Sequence, residues 1–145
     1  MWRHLDNGDS KVSLHDCRAT KVSFKNGNLS FLFTDGIFLV KDKKVLRTGS
    51  ARVKFYLENR DEDDVTIQVF KKKLNKIIRE EWTLKKLIKG INKGKYELEF
   101  LYRYQGYNSM IFECWLWFDK KPYHMECTLK MYIDKLEYYW SDILA

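Results

Sequence analysis

Three short strings carry the residue types that do covalent or metal chemistry. His15-Asp16-Cys17 sets a base, a carboxylate and a thiol in consecutive positions. A nucleophilic thiol needs its base within hydrogen-bond reach and a third group that orients the base. On a strand, His15 and Cys17 share a face while Asp16 points the other way. Side chains two apart on one strand rarely meet that requirement, so the expectation is a buried thiol beside an interfacial histidine. His124 and Cys127 are three apart, a spacing that suits a metal on a helix or loop but that places them on opposite faces of a strand. Cys114 and Cys127 are different. A four-residue loop from Asp119 to Pro122 sets them directly opposite each other on neighbouring strands. Such a pair can form a disulfide or supply two of the four ligands of a zinc ion. No second ligand pair can be named, and both thiols lie on the apolar parity of their strands. Two packed core cysteines are expected, with no metal and no cofactor.

The same registers make a second constellation on the opposite parity. Trp117 falls between Glu97 and His124, and Trp115 falls between Glu99 and Glu126. Two tryptophans, three carboxylates and a histidine on one sheet face fit neither an ordinary core nor an ordinary wetted surface. They suit a ligand or a partner, or else an interior that the helix or the amino terminus covers. Paired glutamates also serve acid–base hydrolysis. The chain has no glycine-rich phosphate loop, nucleophile elbow or metal-binding motif to go with them, and no enzyme is expected.

Charge gives the third constellation. The chain carries 27 Lys and Arg against 20 Asp and Glu, a formal net charge of +7. Between Lys71 and Lys95 lie ten basic residues against two acidic ones, Glu80 and Glu81, so the remainder is close to neutral. Lys85, Lys89 and Lys93 recur every four residues, with Lys86 alongside, and Lys71, Lys72, Lys73 and Lys76 precede them. This is an electrostatic footprint for phosphates or an acidic protein, or the solvated face of a helix.

The elements that must position these groups are mostly strands. Asn26-Gly27 favours a type I′ hairpin, because both central residues need positive φ. A two-residue loop there pairs Phe24 with Leu29 and Val22 with Phe31, all on one face. The first strand reads back to about Ser13, with a bulge near Thr20 to restore its apolar parity. Asp35-Gly36 marks a second turn before Ile37 to Val40. Ala51, Val53, Phe55 and Leu57 alternate, an acidic loop follows, and Val65, Ile67 and Val69 alternate again. The segment Lys71 to Trp82 fits a helix or two short strands. Leu84, Leu87, Ile88 and Ile91 make a helical stripe that Thr83 can cap and Gly94 can end. The last third is a meander. Tyr96 to Tyr104, Met110 to Phe118 and Tyr123 to Met131 alternate in turn, and Leu136 to Trp140 follows as a final strand.

These readings predict a single domain over residues 1–145, mainly β and α+β by strict count. About eight antiparallel strands would form a barrel or a sandwich, with one amphipathic helix around residues 83–93. Met1 to Gly8 holds no apolar h-region, and three cysteines are an odd number without CxxC spacing. A cytoplasmic protein with reduced thiols and no membrane partner is expected. The leading expectation is a non-enzymatic module for a protein partner, as in small bacterial immunity or adaptor proteins. The runner-up is a nucleic-acid-binding barrel, using the basic segment and surface aromatics that stack bases. The third is a small-ligand barrel with Trp115, Trp117, Glu97 and Glu99 in its lumen.

Overall fold

The computed structural model describes residues 1–6, 9 and 11–144; Asn7 and Gly8 of the amino-terminal stretch lie outside it. The architecture is an antiparallel, sandwich-like β fold with one α-helix, and the strands do not close into a barrel.

One long strand organises it. β13 (His124–Trp140) runs 17 residues and belongs to two sheets. Its first half pairs with β12 (Ser109–Phe118) on one side and β9 (Val65–Lys73) on the other. β11 (Tyr96–Gly106) and β3 (Cys17–Ala19) continue that sheet past β12, and β10 (Lys76–Trp82) pairs beyond β9. The second half of β13 pairs with β1 (Trp2–Asp6) and β8 (Ala51–Leu57), and β5 (Asn28–Phe33) and β4 (Lys21–Lys25) complete the second sheet. The register shifts between Ile133 and Lys135. That irregularity breaks the apolar alternation, which is why Tyr123 to Met131 and Leu136 to Trp140 read as separate strands.

The inner faces of the two sheets meet through aromatic rings. Phe31 and Phe33 pack on Phe100 at 5.3 and 5.5 Å, and Phe55 on Phe112 at 5.9 Å, in edge-to-face geometry, as the ring quadrupoles prefer. Val22, Leu29, Leu98, Leu116 and Leu129 are buried as expected; Phe24 is only half-buried. Cys114 and Cys127 face each other across β12 and β13. A small sheet of β2 (Val12–Ser13), β6 (Phe38–Lys41), β7 (Lys44–Thr48) and β14 (Ile143–Leu144) completes the strands.

Helix α1 (Leu84–Asn92) forms where the stripe and caps predict. Thr83 accepts a hydrogen bond from the Lys86 amide, and Gly94 follows at φ +73°. Gly90 has a packing reason. A Cβ there would lie 2.0 Å from the Tyr96 hydroxyl oxygen, so the ring occupies the space a side chain would need. At the helix end Asn92 stands in for a strand. Its side chain accepts from the Val22 amide at 2.9 Å and donates to the Val22 carbonyl at 2.8 Å, satisfying the free edge of β4.

Three expectations are corrected, and one open alternative, at Lys71 to Trp82, is decided. The first strand does not run from Ser13 through a bulge at Thr20. The chain turns at Leu14 to Cys17, and Thr20 separates β3 from β4, which lie in different sheets. Lys71 to Trp82 is strand, forming the β9–β10 hairpin with Leu74-Asn75 as its turn. The strand count exceeds eight because β1, β7 and β14 carry no clean alternation and β7 follows a turn at Asp42-Lys43, where both residues have positive φ without a glycine. Tyr102 and Tyr104 do not continue the buried parity of Phe100. The register of β11 shifts between Phe100 and Tyr102, and both tyrosines emerge more than half exposed. Among the described residues no helix is long and apolar enough to cross a membrane.

Candidate functional site

The expected registers are realised. Glu97 pairs with Trp117 and Trp117 with His124; Glu99 pairs with Trp115 and Trp115 with Glu126. The inner parity of these strands, Leu98, Cys114, Leu116 and Cys127, is buried. Trp115 and Trp117 therefore stand on the outer face, half-buried. Helix α1 lies on the inner side, against Tyr96, and does not cover them. The lumen arrangement expected for a small-ligand barrel is not formed.

On that outer face the side chains hold one another. The two tryptophans meet edge-to-face at 5.4 Å, and His124 lies 4.8 Å from Trp115 and 5.4 Å from Trp117. The Trp117 indole nitrogen donates to the nearly buried Glu99 carboxylate at 3.1 Å. Arg18, on the edge strand β3, stacks over Trp117 at 4.5 Å. It also reaches Glu97 at 3.5 Å and Glu99 at 3.7 Å. A partly desolvated cation on the Trp117 face, held between two carboxylates, fixes that ring.

The His15-Asp16 string has a structural use here. The Asp16 amide donates to the Phe100 carbonyl at 2.8 Å, and His15 Nδ1 donates to the Leu101 carbonyl at 2.7 Å. Both acceptors sit at the β11 bulge that turns Tyr102 and Tyr104 outward, so the turn from Leu14 to Cys17 clamps the bulge. His15 also packs on Tyr102 at 5.2 Å. The outer face thus runs from Trp117 and Trp115 through Tyr102 to Tyr104, with Glu113, Glu126 and Lys130 among the rings. Arg18, Tyr102 and Tyr104 escape sequence reasoning. Arg18 follows from the Cys17/Ala19 parity only once β3 is known to pair with β11. No local residue signals the bulge.

The thiols are placed for packing. Cys17 lies near the Ser13 and His15 carbonyls, and burial pushes its thiol up to about 12. His15 directs its ring elsewhere, so the two form no nucleophile–base pair. Burial also pushes the Cys127 thiol up to about 12, and raises that of Cys114. Thiolate, the reactive and metal-binding form, is disfavoured at all three. His124 is exposed while Cys127 is buried, on opposite faces as expected.

The lysines lie elsewhere. Lys85, Lys86 and Lys89 are on α1 and Lys93 is its C-cap; the helix packs on the inner side of the large sheet, against Tyr96. Lys86 is tied down: its ammonium lies 4.3 Å over the Trp82 ring and 3.4 Å from Glu80.

A cleft of about 600 Å³ opens between the small sheet and the β11 bulge, with Leu14, Phe100 and Phe112 among its walls. Its main polar group is already satisfied. Arg103 donates to Asp6 at 2.7 Å, to the Tyr138 hydroxyl at 3.3 Å and to Gln105 at 3.0 Å. Tyr138 donates to Asp6 at 3.0 Å. The network ties β1 to β11 and β13.

Comparison with known protein families, with curated proteins and with solved structures returned no match.

Proposed function

We propose that this chain is a non-enzymatic binding protein that docks another protein on the outer face of its large sheet. One observation carries the reading. Half-buried Trp115 and Trp117, packed with exposed His124 and braced by Arg18 and Glu99, continue into exposed Tyr102 and Tyr104 on a face that no helix covers among the described residues. Trp, Tyr and Arg dominate the energetics of protein interfaces. Rings already held in place lose little freedom on binding. The carboxylates Glu113 and Glu126 stand among the rings and add polar contacts to the face. The nucleic-acid reading that sets these aromatics beside the helix lysines finds no support on this face, since the helix packs on the inner side of the sheet, against Tyr96.

The test uses photo-crosslinking in the cells that make the protein. One probe replaces Thr128, in the middle of the outer face; the other replaces Ser23, on the second sheet. A discrete protein adduct from position 128 and not from position 23 is expected. Trp115→Ala should weaken capture of that protein by about 30-fold, the effect of losing an interface hot spot of about 2 kcal/mol. Equal adducts from both positions, or capture indifferent to Trp115→Ala, would overturn the reading.

A further inference from the structure

We infer that the β9–β10 hairpin, with helix α1 beside it, is an arm for binding duplex nucleic acid that extends beyond the edge of the aromatic face. Pairing of β9 with β13 ends at Phe70 opposite Glu126, while pairing of β9 with β10 continues to Lys73 opposite Lys76. The rungs Lys71–Ile78, Lys72–Ile77 and Lys73–Lys76 are therefore a two-stranded ribbon. Ile77 and Ile78 point to opposite faces and are 68% and 43% exposed, so the ribbon is wet on both sides. At its tip Leu74 is 98% exposed with φ of 56°. A bulky residue in the left-handed region is strained. Asn or Gly would fit there without strain, and Leu74 packs on nothing in the fold. An aliphatic tip held out under strain suits a contact surface.

The charges fit the same use. Lys71 and Lys86 share Glu80 at 3.0 and 3.4 Å, which joins the ribbon to the first turn of α1. Lys72, Lys73, Lys76 and Arg79 on the ribbon, and Lys85, Lys89 and Lys93 on the helix, have no ion pair among the described residues. A two-stranded ribbon has the width that the major groove of B-form DNA admits, and the Glu80 bridge sets the first turn of α1 beside the base of the ribbon, on the side of the flanking phosphates. Leu74 at the tip supplies apolar contact to a base edge or step. Recognition of single strands relies on aromatic side chains stacking on bases. Residues 71–95 contain one aromatic, Trp82, which is buried at 7% exposure beneath Lys86. The surface therefore suits a duplex.

The experiment titrates fluorescent 20-base-pair DNA, and the corresponding single strand, with the full chain at several salt concentrations. Duplex should bind more tightly than single strand, with affinity falling as salt rises. The triple variant K72E/K73E/K76E should weaken duplex binding on the order of 100-fold at low salt and flatten the log–log salt slope by roughly 0.9 per lysine lost. A charge-matched variant in the other basic hairpin, K41E/K43E/K44E, should retain most of the affinity. Circular dichroism checks that both variants fold. Leu74→Asn, which relieves the strained φ, should leave the salt slope unchanged and weaken binding several-fold. Four results would each overturn the inference: no duplex binding at low salt, salt-insensitive binding, equal loss in the two charge-matched variants, or tighter binding to phosphatidylserine vesicles than to DNA. The first is what lysines that only guard a free sheet edge would give. None of these readouts involves the protein partner proposed for the aromatic face.

Discussion

The outer face of the large sheet and the β9–β10 arm both expose groups that a simple fold would hide or neutralise, but they hold them differently. On the aromatic face nearly every group has a neighbour. Trp117 is bonded to Glu99 and stacked under Arg18, and Trp115 packs on both Trp117 and His124. The face lies on central strands whose pairing fixes each position. On the arm most cations are unpaired and the ribbon is unsupported past Phe70. Braced rings act at contact distance and favour shape recognition. Free charges act over a Debye length of about 8 Å at physiological salt and favour steering. The two regions should therefore respond differently to changes of packing, of hydrogen bonding and of pH.

The largest effect should come from breaking the support of the basic side without touching a charge. Gly90→Ala would raise intrinsic helix propensity by up to about 1 kcal/mol. Here the new Cβ would meet the Tyr96 ring at about 2 Å, and overpacking of this kind costs about 3 kcal/mol. Net destabilisation is expected, read as a lower denaturation midpoint. In hydrogen exchange the Val22 amide, which donates to Asn92 at the end of the same helix, should lose protection. A more stable protein would show that the helix shifts freely and that the basic side is not locked to the core.

The difference between the regions also explains what was legible in the sequence. The pairing Glu97–Trp117–His124 and Glu99–Trp115–Glu126 could be read because three alternating segments are joined by short loops, and a one-residue slip would put every apolar side chain on the wrong face. The Asn26-Gly27 hairpin and the Thr83-capped helix were legible for equally local reasons. Bulges were not. The shift at Leu101 is stabilised by His15 and Asp16, some 85 residues away in sequence, and the shift near Asp134 by pairing with β8. Turns at Asp42-Lys43 and Leu74-Asn75 adopt positive φ without glycine, so the arm was ambiguous where it matters most. The tie from Asp6 to Arg103 and Tyr138 joins three distant segments with no shared pattern.

A smaller effect is expected on the aromatic face. Glu99→Ala leaves the Trp117 indole nitrogen and Arg18 without their nearly buried acceptor, at a cost of about 2 kcal/mol. Glu99→Gln keeps an acceptor and should recover most of that loss. If Ala and Gln cost the same in urea denaturation, the carboxylate's charge toward Arg18 holds the face and the indole bond matters little. Removal of the bulge clamp should cost less again. His15→Ala forfeits one hydrogen bond to the Leu101 carbonyl, about 1 kcal/mol. Tyr102 should then lose its ordered ring environment in NMR spectra while the Trp117 indole resonance stays in place.

The smallest effect concerns Glu80, whose side chain bridges ribbon and helix. Hydrogen bonds from Lys71, Trp82 and Lys86 hold its carboxyl down to about 2, below the ordinary 4.5. A carboxyl whose folded-state value is depressed contributes stability that is fully present above about 4.5 and lost as pH falls toward about 2. The Lys71–Glu80–Lys86 bridge should therefore survive at pH 3.5, where ordinary carboxylates are largely protonated. Glu80→Gln should remove that part of the acid dependence between pH 4.5 and 2. The Trp82 bond, 2.8 Å to Glu80 Oε1, can still be accepted by the amide. Because the site is exposed and screened, the change in stability at neutral pH should be slight. The consequence for the arm runs the other way. With Glu80 neutral, Lys71 and Lys86 join the unpaired cations, so duplex DNA should bind a few-fold more tightly and with a steeper salt slope. The aromatic face, on the opposite side of the sheet, should show no change in its interactions. Weaker DNA binding by Glu80→Gln would mean that the bridge shapes the arm more than its charge opposes the ligand. The contrast between a braced face and a free arm would then fail at the point where ribbon and helix meet.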